Sequence, residues 1–269
     1  MSAEAGTLGG TSGRPAVGSG GERLGWEMLV VLGLSLGQSA VYSLLSIINK
    51  LTLPVQLNQQ TTSMNVSVTP DRPWLDLLYQ VAGTVFPLMP VLLVLYLMWA
   101  VARPQAGPFR AMGFDLRRPW SDLAVGAGMF AAIGVAGLAF YLAARQLGIN
   151  TNVSPANLAA AWWTVPMLVL RAAMNGVLEE VVMVGYLFTR WTQRGGRVAT
   201  VLVGSALLRG SYHLYQGFGG FIGNAIMGLL FGLVYLRTKR VMPLVVCHTL
   251  LDVAAFVGYA LLAPYLTWL

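Results

Sequence analysis

Charge is scarce in this chain. Only 10% of its 269 residues are charged, against about 25% in an ordinary soluble domain, and 56% are hydrophobic. That excludes a conventional water-soluble globule. Cysteine is nearly absent: Cys247 stands alone, so neither an intrachain disulfide nor a thiolate metal cluster can form. Lysine is rare as well. Lys50 and Lys239 stand against fifteen arginines, a bias that with the many Gly and Ala points to a GC-rich bacterial genome. The net charge of +7 comes without a basic run or an aromatic-interleaved patch, so no nucleic-acid partner is expected.

What the chain does have is a series of apolar runs of about 20 residues, the length that a bilayer core requires. Spans are expected near 26–48, 74–102, 120–144, 165–189, 198–214, 220–236 and 241–263. This gives an all-α, polytopic membrane bundle of about seven to eight transmembrane helices, with the lipid bilayer as its solvent. The run from Trp26 is too long for the core of a cleaved signal peptide and should remain as the first helix. Twelve of the 17 Lys and Arg fall in the N-terminal tail and in the loops at 103–118, 190–197 and 237–240, with Lys50, Arg72 and Arg145 opposite. That asymmetry places the N-terminus in the cytoplasm and implies a multi-pass protein of the plasma membrane.

The organisation follows from composition. Residues 1–22, rich in Gly, Ser and Ala, read as a disordered tail. Residues 23–157 read as transmembrane helices one to three with their loops, and 158–269 as the helical domain that carries the chemistry. Asn49–Pro73 and Gly148–Asn157 become external loops, and Leu158–Val165, with Trp162 and Trp163, suits an interfacial helix before Pro166.

Ionisable groups inside such spans are costly and mark function by default. Of the ten acidic residues, seven lie in the tail, in loops or within about a turn of a span end. Glu179, Glu180 and Asp252 lie inside spans, and so do both histidines, His213 and His248. His248 and Asp252 are four apart on one helix face, as are Arg209 and His213 on another. Glu179 and Glu180 diverge by about 100°, so at most one is expected to aim squarely at a site formed with the histidines. His213 sits about 24 Å along its span, deeper than the about 12 to 18 Å of Glu179, His248 and Asp252, so its helix must tilt or begin late to join them.

A Glu and two His facing one cavity are the ligand set of a hydrolytic zinc site, here Glu179, His213 and His248. They are equally the parts of a metal-free site in which a carboxylate activates water. Asp252 could orient His248 or fix a substrate carbonyl, and Arg209 could hold an oxyanion or neutralise the carboxylates. Arg171 reads as an interfacial anchor, Cys247 as a buried apolar cysteine, and the glycines from Gly210 to Gly232 as turn and helix-packing positions rather than a phosphate loop.

These residues fall into three short motifs: Glu179-Glu180 followed by Val-Val-Met-Val-Gly-Tyr-Leu, Arg-Gly-Ser-Tyr-His ending at His213, and His-Thr-Leu-Leu-Asp from His248 to Asp252. In order and spacing they resemble the CPBP family, which comprises the type II CAAX prenyl proteases with bacterial abortive-infection, lysostaphin-resistance-like and bacteriocin-processing relatives. Its motifs run Glu-Glu-x-x-x-Arg, Phe-x-x-x-His and His-x-x-x-Asn/Asp. The resemblance covers about residues 160–263.

It implies an all-helical intramembrane endopeptidase in which Glu179 activates water together with His213 and His248. Asp252 would contribute to an oxyanion site or orient its neighbour, and Glu180 would support. The substrate would be a membrane-embedded or membrane-associated peptide or protein. Two positions depart from the family pattern: Val184 stands where the first motif has Arg, and Arg209 stands where the second has an aromatic residue. A cation moved from one helix to another would compensate if both positions approach the same carboxylate. Two other classes compete with the protease reading, namely a non-catalytic membrane binding or immunity protein of the same fold and a proton or ion transporter built on the same intramembrane groups. The transporter reading predicts an inverted repeat, and the hydropathy shows none.

Overall fold

The computed structural model describes residues 18–101 and 107–265. The tail expected at 1–22 lies mostly outside these residues, but its last part does not: α1 (Gly18–Gly33) has already begun. The chain continues through α2 (Leu36–Leu51), β1 (Thr61–Ser63), α3 (Pro73–Val85), α4 (Met89–Val101), α5 (Pro108–Met112), α6 (Pro119–Gln146), β2 (Asn152–Ser154), α7 (Thr164–Glu179), α8 (Leu187–Gln193), α9 (Val198–Tyr212), α10 (Phe218–Thr238) and α11 (Met242–Leu262). It is a helical membrane bundle. Proline opens α3, α5 and α6 at their first turn, where its missing N–H costs nothing.

Among the described residues four helices are long and apolar enough to cross a bilayer: Pro73–Ala100, Pro119–Gln146, Phe218–Thr238 and Met242–Leu262. A fifth is added if α1 and α2, bent by 50° at their junction, form one broken span. Of the seven spans expected from the apolar runs, those near 165–189 and 198–214 do not pass this test of length and composition. The stretch from 165 to 189 carries Arg171, Glu179 and Glu180 within its apolar residues, and α9 has only 15 residues. Both are packed among the other helices. The interfacial helix expected at 158–165 is absent: these residues run as irregular chain, bend and turn until α7 starts at Thr164.

The first span bends because Gly33 and Gly37 flank Leu34 and Ser35. A Cβ at Gly37 would lie 2.6 Å from the Leu32 carbonyl oxygen, so the close return of the chain there requires glycine. The third and fourth helices meet at a 3₁₀ turn, Phe86–Leu88, between Pro87 and Pro90. These two bends face each other across a cavity.

Helix α7 passes directly into a π-helical stretch, Glu180–Tyr186, before α8 resumes. Val181, Val182, Met183, Val184 and Tyr186 are each at most 2% exposed and form the middle of the core. Helix α11 packs along α7 at close range. A Cβ at Gly176 would stand 2.7 Å from Thr249 Oγ1 and 3.1 Å from the Val245 carbonyl. On the other side α9 lies along α10, where Gly228 faces Ala206 and the stem of Arg209. Helix α6 packs on α11 and leaves most of its surface exposed, as a lipid-facing helix does.

At the end of the bundle where α2 stops, the loops expected to be irregular pair as a short parallel ladder, with Thr62 opposite Val153. Lys50 donates to Thr62 Oγ1 and to the Tyr215 carbonyl, and Ser43 Oγ accepts the Tyr215 N–H at 2.6 Å. The turn after α9 is thereby gripped on both backbone faces.

Two arginines occupy places the sequence did not suggest. Arg190, expected in a loop, is 1% exposed and bonds Glu27 Oε1 at 2.8 Å, the Leu97 carbonyl at 2.8 Å and Gln193. Tyr186 donates to the same Glu27 oxygen. Arg171 donates to Gln80 Oε1 at 2.8 Å, tying α7 to α3 rather than anchoring at an interface. Because Glu27 would be left partly buried without its cation, Arg190→Met should destabilise the folded protein by about 2–3 kcal/mol, and the double variant Glu27→Leu, Arg190→Met should recover part of that loss. Thermal unfolding in one detergent checks both.

Candidate active site

The residues expected to carry the chemistry come from three neighbouring helices. Glu179 and Glu180 lie where α7 passes into the π stretch, Arg209 and His213 at the end of α9, and His248 and Asp252 along α11. The structure brings all of them together, including His213, whose Nε2 is 3.8 Å from Glu179 Oε2.

The centre is one oxygen. Glu180 Oε1 accepts a bond from Arg209 Nη2 at 2.7 Å and from His248 Nδ1 at 2.7 Å, and both the glutamate and the arginine are at most 1% exposed. The carboxylate can only accept, so His248 presents its Nδ1–H there and turns Nε2 toward Asp252 Oδ1, 3.9 Å away. Arg209 stacks its guanidinium over Phe231 at 5.3 Å and reaches Glu179 Oε2 with Nη1 at 3.6 Å.

Glu179 forms a second layer. Its Oε2 accepts from Tyr212 Oη at 2.7 Å and faces His213, while its side chain keeps 11% exposure. His213 makes no hydrogen bond through either ring nitrogen, and its ring lies between Tyr212 and Tyr215. Asp252, the most exposed carboxylate of the three, accepts from Asn175 Nδ2 at 2.8 Å. Glu180, Arg209 and His248 thus form a sealed inner set, and Glu179, His213 and Asp252 an outer set with access.

The expectation that only one glutamate could aim at the site is corrected by this geometry. The site is a groove with α9 on one side and α11 on the other, so two neighbouring carboxylates each meet a different histidine. The metal set also differs from the expected Glu179, His213 and His248. The side chains whose ligand atoms lie within 4.8 Å of one another are Glu179, Glu180 and His248, and these could hold a metal ion. Glu180 stands in that cluster where His213 was expected, and the Arg209 guanidinium reaches both glutamates, with Nη2 2.7 Å from Glu180 and Nη1 3.6 Å from Glu179.

Two residues of the site escaped the sequence reading. Tyr212 and Asn175 are neutral and looked like ordinary span residues. A helical-face test would have found them, since Tyr212 is three residues after Arg209 and Asn175 four before Glu179. Asp252, read as orienting His248 or fixing a substrate carbonyl, stands 3.9 Å from His248 Nε2 and takes its hydrogen bond from Asn175.

Residues 161–254 match the family model described as Type II CAAX prenyl endopeptidase Rce1-like. This segment is Rce1-like. It runs from just before α7 into α11 and contains every residue of the site. No curated protein and no solved structure matches the chain. At the family level the Rce1-like match supports an intramembrane protease of the CAAX type, a hydrolase acting on peptide bonds.

The Rce1-like segment also bears on the two departures. Arg209 does reach Glu180, and position 184 lies four residues beyond Glu180, within one helical turn of it. Removing the cation by Arg209→Met should cost about 3–5 kcal/mol, because Glu180 stays buried beside only His248. Adding Val184→Arg to an Arg209→Phe variant should restore folding, measured as recovery of the unfolding midpoint. A double variant as unstable as the single one would show that the two positions do not serve the same carboxylate.

Proposed function

We propose that the chain is a glutamate-dependent intramembrane endopeptidase of a bacterial plasma membrane, its N-terminus in the cytoplasm, acting on a membrane-embedded or membrane-associated polypeptide. The observation that carries this reading is the pairing of Glu179 with His213. A buried carboxylate with one oxygen held by Tyr212 faces an imidazole whose two nitrogens are both unsatisfied. Buried polar atoms without partners are rare, and here two of them belong to the imidazole that faces Glu179.

In this reading a water bound between Glu179 and His213 gives its proton to Glu179 as its oxygen attacks the scissile carbonyl carbon. The carbonyl π electrons move to oxygen, and the charge that develops there lies in the field of the Arg209 guanidinium, which stands 3.6 Å behind Glu179. Collapse of the tetrahedral species breaks the C–N bond, and the proton held by Glu179 passes to the leaving amine. Asp252, fixed by Asn175, holds the α11 side of the cavity and orients the substrate. Glu180 keeps Arg209 and His248 in place.

A metal ion could be held by Glu179, Glu180 and His248 and would act as a Lewis acid on the carbonyl. The buried guanidinium of Arg209 argues for the metal-free form, because it already supplies a permanent positive charge to both glutamates and shares the Glu180 oxygen with His248. A cation added to that cluster would be repelled by Arg209 at short range in a low-dielectric interior.

Glu179→Gln should lower cleavage of a pooled library of membrane peptides by at least about a hundredfold, with abundance and unfolding midpoint unchanged. Elemental mass spectrometry of the purified wild type should find well under one equivalent of zinc. About one zinc per chain, lost in a Glu179→Ala, Glu180→Ala, His248→Ala variant, would replace the metal-free mechanism by a metal-assisted one. A biological activity that survives Glu179→Gln would instead identify a non-catalytic binder of the same fold.

A further inference from the structure

Helix α2 packs against α9 and the turn that follows it, beside the site, and carries an unusual stripe. Gln38, Ser39, Tyr42 and Ser46 recur at helical spacing on one side of a helix in the membrane region. Gln38, Ser39 and Tyr42 are exposed, Tyr42 by 65%, and none of the four side chains makes a hydrogen bond with a described residue. Exposed polar groups facing hydrocarbon are expensive, so a row of them implies an occupant that satisfies them.

Two adjoining cavities run along this stripe and share Gln38 and Ser39 in their walls. The first, about 470 Å³, lies between the bend of α1 and α2 and the proline bend at Phe86–Leu88, and reaches Leu178, the residue before Glu179. The second, about 490 Å³, continues past Tyr42 and Ser46 to Tyr212, whose hydroxyl is bonded to Glu179. The groove therefore runs from apolar walls at Phe86, Met89 and Leu93 to Tyr212, whose hydroxyl holds the carboxylate that would activate water.

We propose that this groove binds an unwound, extended stretch of a membrane-spanning polypeptide, and that Gln38, Ser39, Tyr42 and Ser46 hydrogen-bond its exposed backbone. The inference rests on the hydrolytic reading of the Glu179 site and names how its substrate is presented. An intact helix cannot be the bound form, because each carbonyl is bonded to an N–H of its own next turn and is shielded by it. Unwinding inside the membrane leaves backbone N–H and C=O groups without water, so the protein must supply their partners. The stripe from Gln38 to Ser46 is about 12 Å long, the reach of about four extended residues. Amide and hydroxyl side chains both donate and accept, which suits a backbone that presents both kinds of group. The apolar walls formed by Phe86, Met89 and Leu93 suit the side chains that flank the unwound stretch.

The test separates binding from cleavage. Glu179→Gln protein in lipid nanodiscs is incubated with two pools of membrane peptides of Leu and Ala with randomised flanks, one pool interrupted at its centre by Gly-Gly-Pro and one uninterrupted. Retained peptides are quantified by mass spectrometry. The interrupted pool should be retained at least about tenfold over the other, and Gln38→Leu, Ser39→Ala, Tyr42→Phe in the same background should abolish that preference. These side chains are exposed, so the fold should survive, and an unchanged unfolding midpoint confirms it.

A second measurement does not depend on that variant. In a Cys247→Ser background, Gln38→Cys should form a disulfide with a cysteine placed at the interruption of the peptide and not with one near its end. Equal retention of the two pools, a preference that survives the triple variant, or crosslinking without regard to position would overturn the proposal. So would a phospholipid that copurifies at about one per chain and is lost in the triple variant, since the occupant would then be lipid. Loss of cleavage in Glu179→Gln is read separately, so a failed groove and a failed catalytic assignment give different results.

Discussion

Two positively polarised donors from different helices meet on one sealed oxygen of Glu180, and the arrangement of the bundle follows from that meeting. A carboxylate in this position has no water to solvate it, so Arg209 of α9 and His248 of α11 must both reach it. That requirement sets how closely the two helices approach α7. Gly176 permits the approach of α11, and Gly228 leaves room on α10 for the stem of Arg209. The π stretch that begins at Glu180 belongs to the same constraint, for a widened helical turn is a common way to place side chains at a functional site, and it costs helix regularity only where the surrounding core is tight. Val181 to Val184 supply that core, so the irregular backbone is surrounded on all sides by apolar packing.

Much of this was legible from the residues alone. Scarce charge and long apolar runs were enough for a helical membrane bundle, and the confinement of both histidines and three carboxylates to apolar segments pointed to Glu179, Glu180, His213, His248 and Asp252. The i, i+4 spacings of Arg209 with His213 and of His248 with Asp252 assigned those residues to shared faces, and the faces do converge. Hydropathy reads composition and not what a segment packs against, so 165–189, with its buried polar residues, and 198–214, whose helix has 15 residues, read as ordinary spans. Arg190 was misplaced for a related reason: a charge near the end of an apolar run looks like a loop residue unless its partner, Glu27, is known to pack against it from a helix far away in sequence. Depth estimated by counting residues made His213 doubtful. The end of α9 is brought to Glu179 by the clamp of Ser43 and Lys50 on Tyr215, a contact between segments too distant for any local pattern to reveal.

The division of the site into two layers explains why it contains two adjacent glutamates. A single carboxylate would have to remain accessible for proton transfer and also be fixed by buried cations. These demands oppose each other, since strong fixed partners make a carboxylate a weaker base. Here the task is split. Glu180 takes both short contacts and orients Arg209 and His248, whereas Glu179 receives the longer 3.6 Å approach of Arg209, one bond from Tyr212, and the open histidine.

The same argument bears on the choice between a protease and a transporter. A proton pathway needs a chain of groups that exchange protons along the membrane normal, with partners on both sides of each. Glu180, Arg209 and His248 are instead closed upon each other, and Arg209 cannot release its proton. Such a cluster is a fixed electrostatic platform. What remains open is the Glu179 and His213 face, and beyond it a groove lined by hydroxyl and amide groups that carry no charge. Uncharged donors and acceptors along such a cavity suit a neutral polar chain better than an ion, and a polypeptide backbone, the substrate of the proposed hydrolysis, is a chain of that kind.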